Sequence, residues 1–198
     1  VNFAKGRYFH QLILEPEKAS VVQAVNSYSR NTKVYKDAVL ASSESFLMLT
    51  KERDEIESLV ATMMGNIDFF DAIRAEGNVY EEPSVGMIKN KMWKGKADII
   101  TDDIIIDLKT TSSIKDFKYS AKRYNYDSQC YIYQTLFGKP LVFFVIEKSS
   151  GMMGMYQPSE EFVRQGEYKV EDAIEVHNKF FRDDAPNDIN NYYIKETL

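Results

Sequence analysis

Two isoleucine-rich runs enclose a pair of aspartates near the middle of the chain, and this segment restricts the possible folds more than any other. The first run ends at Ile100, the second begins at Ile104, and Asp102 and Asp103 lie between them. Short apolar runs separated by turn-forming residues are typical of a β-hairpin. We therefore predict two antiparallel strands with a turn at the aspartates, within the segment Lys94–Thr111.

Two further aspartates and a lysine share one face of this hairpin. If Asp102 and Asp103 form the turn, Asp98 faces Asp107 across the strands, and period-two alternation places Lys109 on the same face. Opposed carboxylates repel each other unless a cation lies between them, and Mg²⁺ suits oxygen ligands on rigid strands. A metal ion and a nearby ammonium group are what phosphodiester hydrolysis requires. We therefore predict that Asp98 and Asp107 bind metal and act in catalysis with Lys109.

Charge is distributed unevenly along the chain. The 198 residues carry a net charge of −5, yet the region from Gly86 to Arg123 contains nine basic and five acidic residues. A basic region around a carboxylate cluster can meet a polyanion locally while the remaining residues repel it. A solvated lysine-rich loop is the alternative. The candidate DNA-binding residues are Lys94, Lys96, Lys115, Lys118, Lys122 and Arg123.

Length and composition narrow the class of protein. A chain of 198 residues, 44% of them hydrophobic, is long enough for a single domain (1–198) with a buried core. No apolar run approaches the ~20 residues of a membrane span, so no membrane partner is expected. The single cysteine, Cys130, excludes an internal disulfide framework and fits a reducing, cytoplasmic compartment.

The part of the chain before the hairpin, residues 1–77, is predicted to be mainly helical. The apolar spacing favours a first helix that Glu15-Pro16 ends, and further helices up to the stop at Gly77. The predicted helical segments are 5–14, a start near Ser42-Ser43-Glu44, 52–64 and 67–75. His10 lies at the edge of the apolar stripe of the first helix, where a lone histidine is more often structural than a ligand.

Residues 78–158 are predicted to form a sheet with an accompanying helix. The period changes to that of a strand at Val79, and Pro83 places this strand at a sheet edge because proline cannot donate to a ladder. The predicted elements are strands at 79–88, 90–96, 141–147 and 152–157 and helices at 114–123 and 127–137. A C-terminal helix follows at 159–181, with a stop at 183–186. Gln129 and Tyr133 share a helical face.

The fold class expected from this order is α/β (α+β), a mixed sheet built on an antiparallel meander and flanked by helices. At this point the chain is identified as a member of the PD-(D/E)XK nuclease superfamily, RecB-like branch, and it most resembles the RecE (exodeoxyribonuclease VIII) type of phage recombination exonuclease. The specific motifs are Asp107-Leu108-Lys109-Thr110-Thr111 and Gln129-x-x-x-Tyr133. The resemblance extends over Gly6–His10, Leu14–Glu17, Glu82–Val85, Gly95–Asp98, Tyr126–Tyr133 and Val142–Val145.

The resemblance implies a restriction-endonuclease-like core and a set of site residues. By its pattern Asp98 and Asp107 bind Mg²⁺ or Mn²⁺, Lys109 orients the attacking water, and His10 completes the metal shell. Glu82 matches an acidic position close to the metal, although Pro83 leaves open whether Glu81 or Glu82 points inward. Gln129 and Tyr133 would support the lysine and the scissile phosphate.

The resemblance also implies an activity and partners. A RecE-like protein would digest linear double-stranded DNA from duplex ends in the 5′ to 3′ direction, in the cytoplasm of a bacterial or phage-infected cell. The resemblance further implies that copies of the chain assemble into a homo-oligomeric ring and that a single-strand annealing protein is a partner. Two alternatives remain: a structure-specific endonuclease or single-strand exonuclease of the same superfamily, and an inactive DNA-binding module on the same fold.

Overall fold

The computed structural model describes residues 2–42, 44–182, 184–185, 187 and 196–197. Within this part of the chain, helices alternate with strands and the fold is mixed α/β, as predicted. The helices are α1 (Asn2–Leu14), α2 (Pro16–Ala19), α3 (Lys33–Ala41), α4 (Thr50–Met64), α5 (Ile67–Arg74), α6 (Phe117–Arg123), α7 (Tyr126–Phe137) and α8 (Glu160–Phe180). The strands are β1 (Ala24–Val25), β2 (Met48–Leu49), β3 (Val79–Ile88), β4 (Lys91–Ile100), β5 (Ile105–Thr111), β6 (Leu141–Glu147) and β7 (Met153–Tyr156).

The main sheet has five strands in the order β3-β4-β5-β6-β7. Its first three strands follow one another along the chain, as expected for a meander, with a two-residue turn at Lys89-Asn90 between β3 and β4. β5 pairs with β6 in parallel, from Ile105 opposite Leu141 to Thr111 opposite Glu147, and β6 pairs with β7 antiparallel. The apolar run of β6 is therefore a central strand, and its residues 143–146 are all buried.

The described residues form two compact units. The first unit comprises Val1–Glu82, Lys96–Phe117 and Pro140–Gln157, and the second comprises Pro83–Gly95, Lys118–Lys139 and Pro158–Leu198. Both units consist of three separate segments, so their borders differ from the divisions expected from sequence. The single domain at 1–198 stays a prediction.

The core of the first unit is formed by α1, α4 and α5 against the apolar residues of β4, β5 and β6. Phe9 and Ile13 of α1 are buried there together with Met63, Ile106 and other aliphatic side chains. The spacing of these two α1 residues fixes the rotation of the helix, because a buried stripe repeats every three to four residues. His10 follows Phe9 and is therefore held at the border of the core.

In the second unit, α7 packs against α8. Val170 and Cys130 are buried in this unit, and Lys169 of α8 forms an ion pair with the buried Asp127 of α7, the two charged atoms lying 2.7 Å apart. Ser159 caps α8 by accepting the N–H of Phe162, as expected from sequence. No described helix is both long and apolar enough to cross a membrane.

Two of the predicted helix starts are wrong. Thr32 caps α3 by accepting the N–H of Tyr35, so that helix starts earlier than the expected 42–44, where Ser42 instead closes it. α6 starts at Phe117 instead of 114, because the N–H of Ile114 donates to the carboxylate of Glu147, 2.7 Å away. Ser43 and positions 183 and 186 of the expected helix stop lie outside the described residues.

Candidate metal centre

The hairpin of β4 and β5 has the predicted register. Ile99 pairs with Ile106 and Ile100 with Ile105. The Thr101 hydroxyl accepts the N–H of Ile104 at 3.0 Å, and Thr101 donates its own N–H to the carbonyl oxygen of Ile104 at 2.9 Å. These bonds close the turn and leave both of its aspartates, at 102 and 103, exposed.

Asp98 and Asp107 are held close together by backbone contacts of the hairpin. The Asp98 carboxylate accepts the N–H of Leu108, 2.8 Å away, which fixes its orientation toward β5. Asp107 is 1% exposed, and Phe143 of β6 lies beside it as its pairing partner on the side of β5 away from β4. A carboxylate so deeply buried requires a positive partner.

Lys109 supplies this positive charge to Asp107. Its ammonium nitrogen lies 2.5 Å from Oδ2 of Asp107 and 5.9 Å from the centre of the Phe143 ring. The lysine side chain is itself 17% exposed. Asp107 and Lys109 therefore lie on a common face of the strand, as predicted, and form a short ion pair.

His10 lies next to Asp98. The Nδ1 atom of the ring is 3.3 Å from Oδ1 of Asp98, and the ring meets that of Phe9 edge-on. Since Phe9 is fully buried, it fixes the position of the following residue. The structure thus brings α1 to the aspartate of β4, as the resemblance implied.

Glu81, and not Glu82, is the acidic residue of β3 at this site. His10, Glu81 and Asp98 each offer one possible metal-ligand atom, and these three atoms lie within 4.8 Å of one another. The backbone of Glu81 has a φ of +53°, a left-handed conformation that interrupts the alternation of the strand. Glu82 is exposed. The expectation that Glu82 approaches the metal is corrected accordingly, and the choice left open by Pro83 falls on Glu81.

The titratable groups of this cluster influence one another. Burial lowers the pKa of His10, but the charge of Asp98 outweighs it, so the pKa lies above the ordinary 6.5. Burial raises the pKa of Asp98, yet His10, Lys109 and the Leu108 N–H outweigh it and hold the pKa below its usual range. At Asp107 burial prevails over Lys109 and raises the pKa. Opposite shifts in two facing carboxylates are typical of functional sites.

The donor set of the cluster fits a divalent metal ion. An imidazole and two carboxylates whose donor atoms lie within 4.8 Å of one another suit Mn²⁺, and the carboxylate oxygens suit Mg²⁺, which keeps several waters. Asp107 is not among the three residues that converge, because its carboxylate is held by Lys109. We name His10, Glu81, Asp98, Asp107 and Lys109 the metal-site residues.

Gln129 and Tyr133 lie on α7 in the second unit. The backbone N–H of Gln129 donates to the carbonyl oxygen of Asn125, and the ring of Tyr133 packs against Phe137 and beside Gly95. They share the predicted helix, but their proposed support of Lys109 stays a prediction.

The six candidate DNA-binding residues are all exposed. Lys96 and Lys115 belong to the first unit, and Lys94 belongs to the second unit together with Lys118, Lys122 and Arg123 of α6. Lys96 forms an ion pair with Glu81.

Regular alternation along β3 did not predict that Glu81 faces the site. The sequence signal for the irregular backbone at Glu81 is the run of two glutamates directly before a proline.

Comparison with known proteins gives a family for this chain. Residues 2–187 match the family model described as "PDDEXK-like domain of unknown function (DUF3799)". None of the curated proteins is significantly similar in sequence to this chain.

A solved structure shares the fold. The crystal structure of a "putative exonuclease" from Eubacterium rectale superposes with a TM-score of 0.63 at 16% identity, over 99% of this chain and 76% of the other. The structure of SSO0001 aligns with a TM-score of 0.38 at 18% identity, over 87% and 86% of the two chains, which is too low to compare folds.

Proposed function

The chain belongs to the family of PDDEXK-like domains, and from this membership we propose that it is a metal-dependent nuclease that hydrolyses phosphodiester bonds of DNA. The observation that carries the proposal is the convergence of His10, Glu81 and Asp98 beside the ion pair of Asp107 and Lys109. Two carboxylates, an imidazole and an ammonium group in one place match the needs of phosphodiester hydrolysis.

Each metal-site residue has a role in this proposal. His10, Glu81, Asp98 and Asp107 would hold Mg²⁺ or Mn²⁺. When bound, the ion would neutralise charge on the phosphate and make a water molecule more acidic. The Leu108 N–H keeps the Asp98 carboxylate aimed at the site without using the oxygen that faces His10.

Lys109 would act on the attacking water. Its ammonium group is held by Asp107 at the border of the buried region, where a positive charge has more effect than in bulk water. From there it would donate a hydrogen bond to the water and stabilise the negative charge that develops on attack. Gln129 and Tyr133 are proposed to position the lysine and the scissile phosphate.

We further propose that the substrate is linear double-stranded DNA, digested from its ends in the 5′ to 3′ direction. The RecE-like motifs support this specificity, and the name of the Eubacterium rectale protein that shares the fold supports only its exonuclease part. The exposed basic residues would bind the phosphate backbone. A role in phage-type recombination, a homo-oligomeric ring and a single-strand annealing partner belong to the same proposal.

The deciding experiment is digestion of a linear duplex labelled at either the 5′ or the 3′ end, beside a closed circular duplex, with Mg²⁺, Mn²⁺ or EDTA. We expect early release of the 5′ label and no attack on the circle. Cleavage of the circle would indicate an endonuclease, and absence of cleavage with every metal would indicate a binding module. Asp107→Asn serves as the inactive control.

A further inference from the structure

Every carboxylate of the metal site has a partner of its own. Asp107 is paired with Lys109, Asp98 contacts His10, and Glu81 forms an ion pair with Lys96. Each of the three carboxylates therefore lies beside one basic side chain. A divalent cation entering this arrangement brings two positive charges and needs carboxylate oxygens that are already in use.

The three partners differ in how easily they can leave. The side chains of Lys109 and His10 are 17% and 27% exposed, whereas that of Lys96 is 54% exposed. Lys96 contacts Glu81 through its terminal ammonium group, while more than half of its side chain is exposed. Glu81 is 13% exposed and is held in place by the left-handed backbone at its position. Lys96 is therefore the mobile member of its pair.

We propose that Lys96 is the resident counter-ion of Glu81 and exchanges between this carboxylate and the phosphate backbone of DNA. The inference rests on the proposed function and concerns the regulation of that site. Without metal, Lys96 neutralises Glu81. When a dication occupies Glu81, the same charge repels the Lys96 ammonium group, which then becomes available to a phosphate.

The exchange makes metal binding and DNA binding cooperative. Bound metal frees a cation for DNA, and bound DNA removes a competitor from Glu81. By thermodynamic linkage each ligand must raise the affinity of the other by the same factor. Lys96 is a positioning residue in this scheme, because it contacts the reacting groups only through Glu81 or the DNA backbone.

The test measures Mn²⁺ affinity by calorimetry, with and without a short duplex, for the unchanged chain and Lys96→Gln. We expect the variant to bind Mn²⁺ about three- to tenfold more tightly without DNA, since exposed charge pairs have modest effects. We also expect it to lose most of the gain in Mn²⁺ affinity that DNA produces. Lys96→Arg should restore both properties of the unchanged chain.

Lys36→Gln is the control, because Lys36 is an exposed lysine of α3, has no ion pair within the described part of the chain and is not a candidate DNA-binding residue. Weaker or unchanged Mn²⁺ binding by Lys96→Gln would overturn the inference, and so would an equal effect of Lys36→Gln. An effect of Lys96→Gln that persists in a Glu81→Gln background would also overturn it. If the unchanged chain binds no Mn²⁺, the proposed function fails, and the inference fails with it.

Discussion

A β-carbon added to Gly166 of α8 would lie 2.0 Å from the carbonyl oxygen of Asp127 in α7. The two helices therefore approach each other at a point where only hydrogen fits. The neighbouring Lys169 completes the contact with its ion pair to the Asp127 carboxylate. Backbone contact and buried charge together set the spacing of these helices in the second unit.

We expect Gly166→Ala to destabilise the protein by about 3 kcal/mol, because the methyl group must push one backbone away from the other. Urea unfolding followed by circular dichroism measures the change. The control is Gly6→Ala in α1, where an added β-carbon meets nothing within 4 Å. Since alanine favours helix over glycine by up to ~1 kcal/mol, that variant should be neutral or more stable. Equal effects of the two changes would contradict the close helix contact.

Lys109→Ala should reduce cleavage of a linear duplex by about 10³-fold or more, because the charge that would orient the attacking water is lost. Mn²⁺ binding by calorimetry and DNA binding in Ca²⁺ should change little. Lys36→Ala, an exposed lysine of α3, is the control for a general effect of charge. A Lys109→Ala variant that cleaves normally would exclude the proposed mechanism.

Glu81→Gln should weaken Mn²⁺ binding by about tenfold or more, whereas Glu82→Gln should leave it unchanged. The two residues are adjacent and of the same type, but only Glu81 lies with His10 and Asp98. Calorimetry on both variants gives a direct comparison. The reverse order of effects would return the metal ligand to Glu82.

The metal-free protein should show a histidine-dependent stability that changes with pH. The folded pKa of His10 lies above the 6.5 of an ordinary histidine, because Asp98 outweighs burial. The protonated ring therefore stabilises the fold fully below pH 6.5, and this contribution is lost as the pH rises through the folded pKa. In EDTA, the stability difference between the unchanged chain and His10→Gln should be larger at pH 5.5 than at pH 8.5.

His177→Gln provides the control for this pH experiment, because His177 is the other histidine and is exposed on α8. The change with pH in the His10→Gln stability difference should exceed the change for His177→Gln. A stability difference for His10→Gln that grows with pH would mean that the ring is held neutral.

Simultaneous change of Lys115, Lys118 and Lys122 to Gln should reduce the salt dependence of DNA binding. Each phosphate contact contributes about 0.9 to the slope of log affinity against log salt, so the slope should fall by up to ~2.7. Fluorescence anisotropy at several salt concentrations measures it. Changing Lys33, Lys36 and Lys51 alters the net charge equally, and an equal loss of slope there would show that position is irrelevant.

The hairpin could be predicted from sequence because its information is local. Alternation fixes which side chains share a face, and the turn fixes the register, so Ile99 had to oppose Ile106 once Asp102 and Asp103 formed the turn. The apolar stripe of α1 likewise placed His10 at the edge of the buried face, but only the family resemblance indicated that it could be a metal ligand. These are properties of one strand pair or one helix.

Glu81 could not be predicted in the same way. Regular alternation along β3 groups Tyr80 with Glu82, and only the left-handed backbone at Glu81 breaks this rule. Such a conformation is stabilised by its surroundings, here the contacts with Lys96 and the nearby His10 and Asp98, which come from other elements. The helix start expected near Ser42 was wrong for a different reason, because Thr32 caps a helix that begins at Lys33 and Ser42 lies at the end of that helix.

The interleaving of the two units has a consequence for synthesis of the protein. The chain passes between the units five times, so neither unit is complete until the ribosome has passed residue 157. All metal-site residues have been translated by residue 109, long before β6, the strand that pairs with β5 at Asp107, is made. No single cut in the gene would separate the two units from each other, because their segments alternate along the chain.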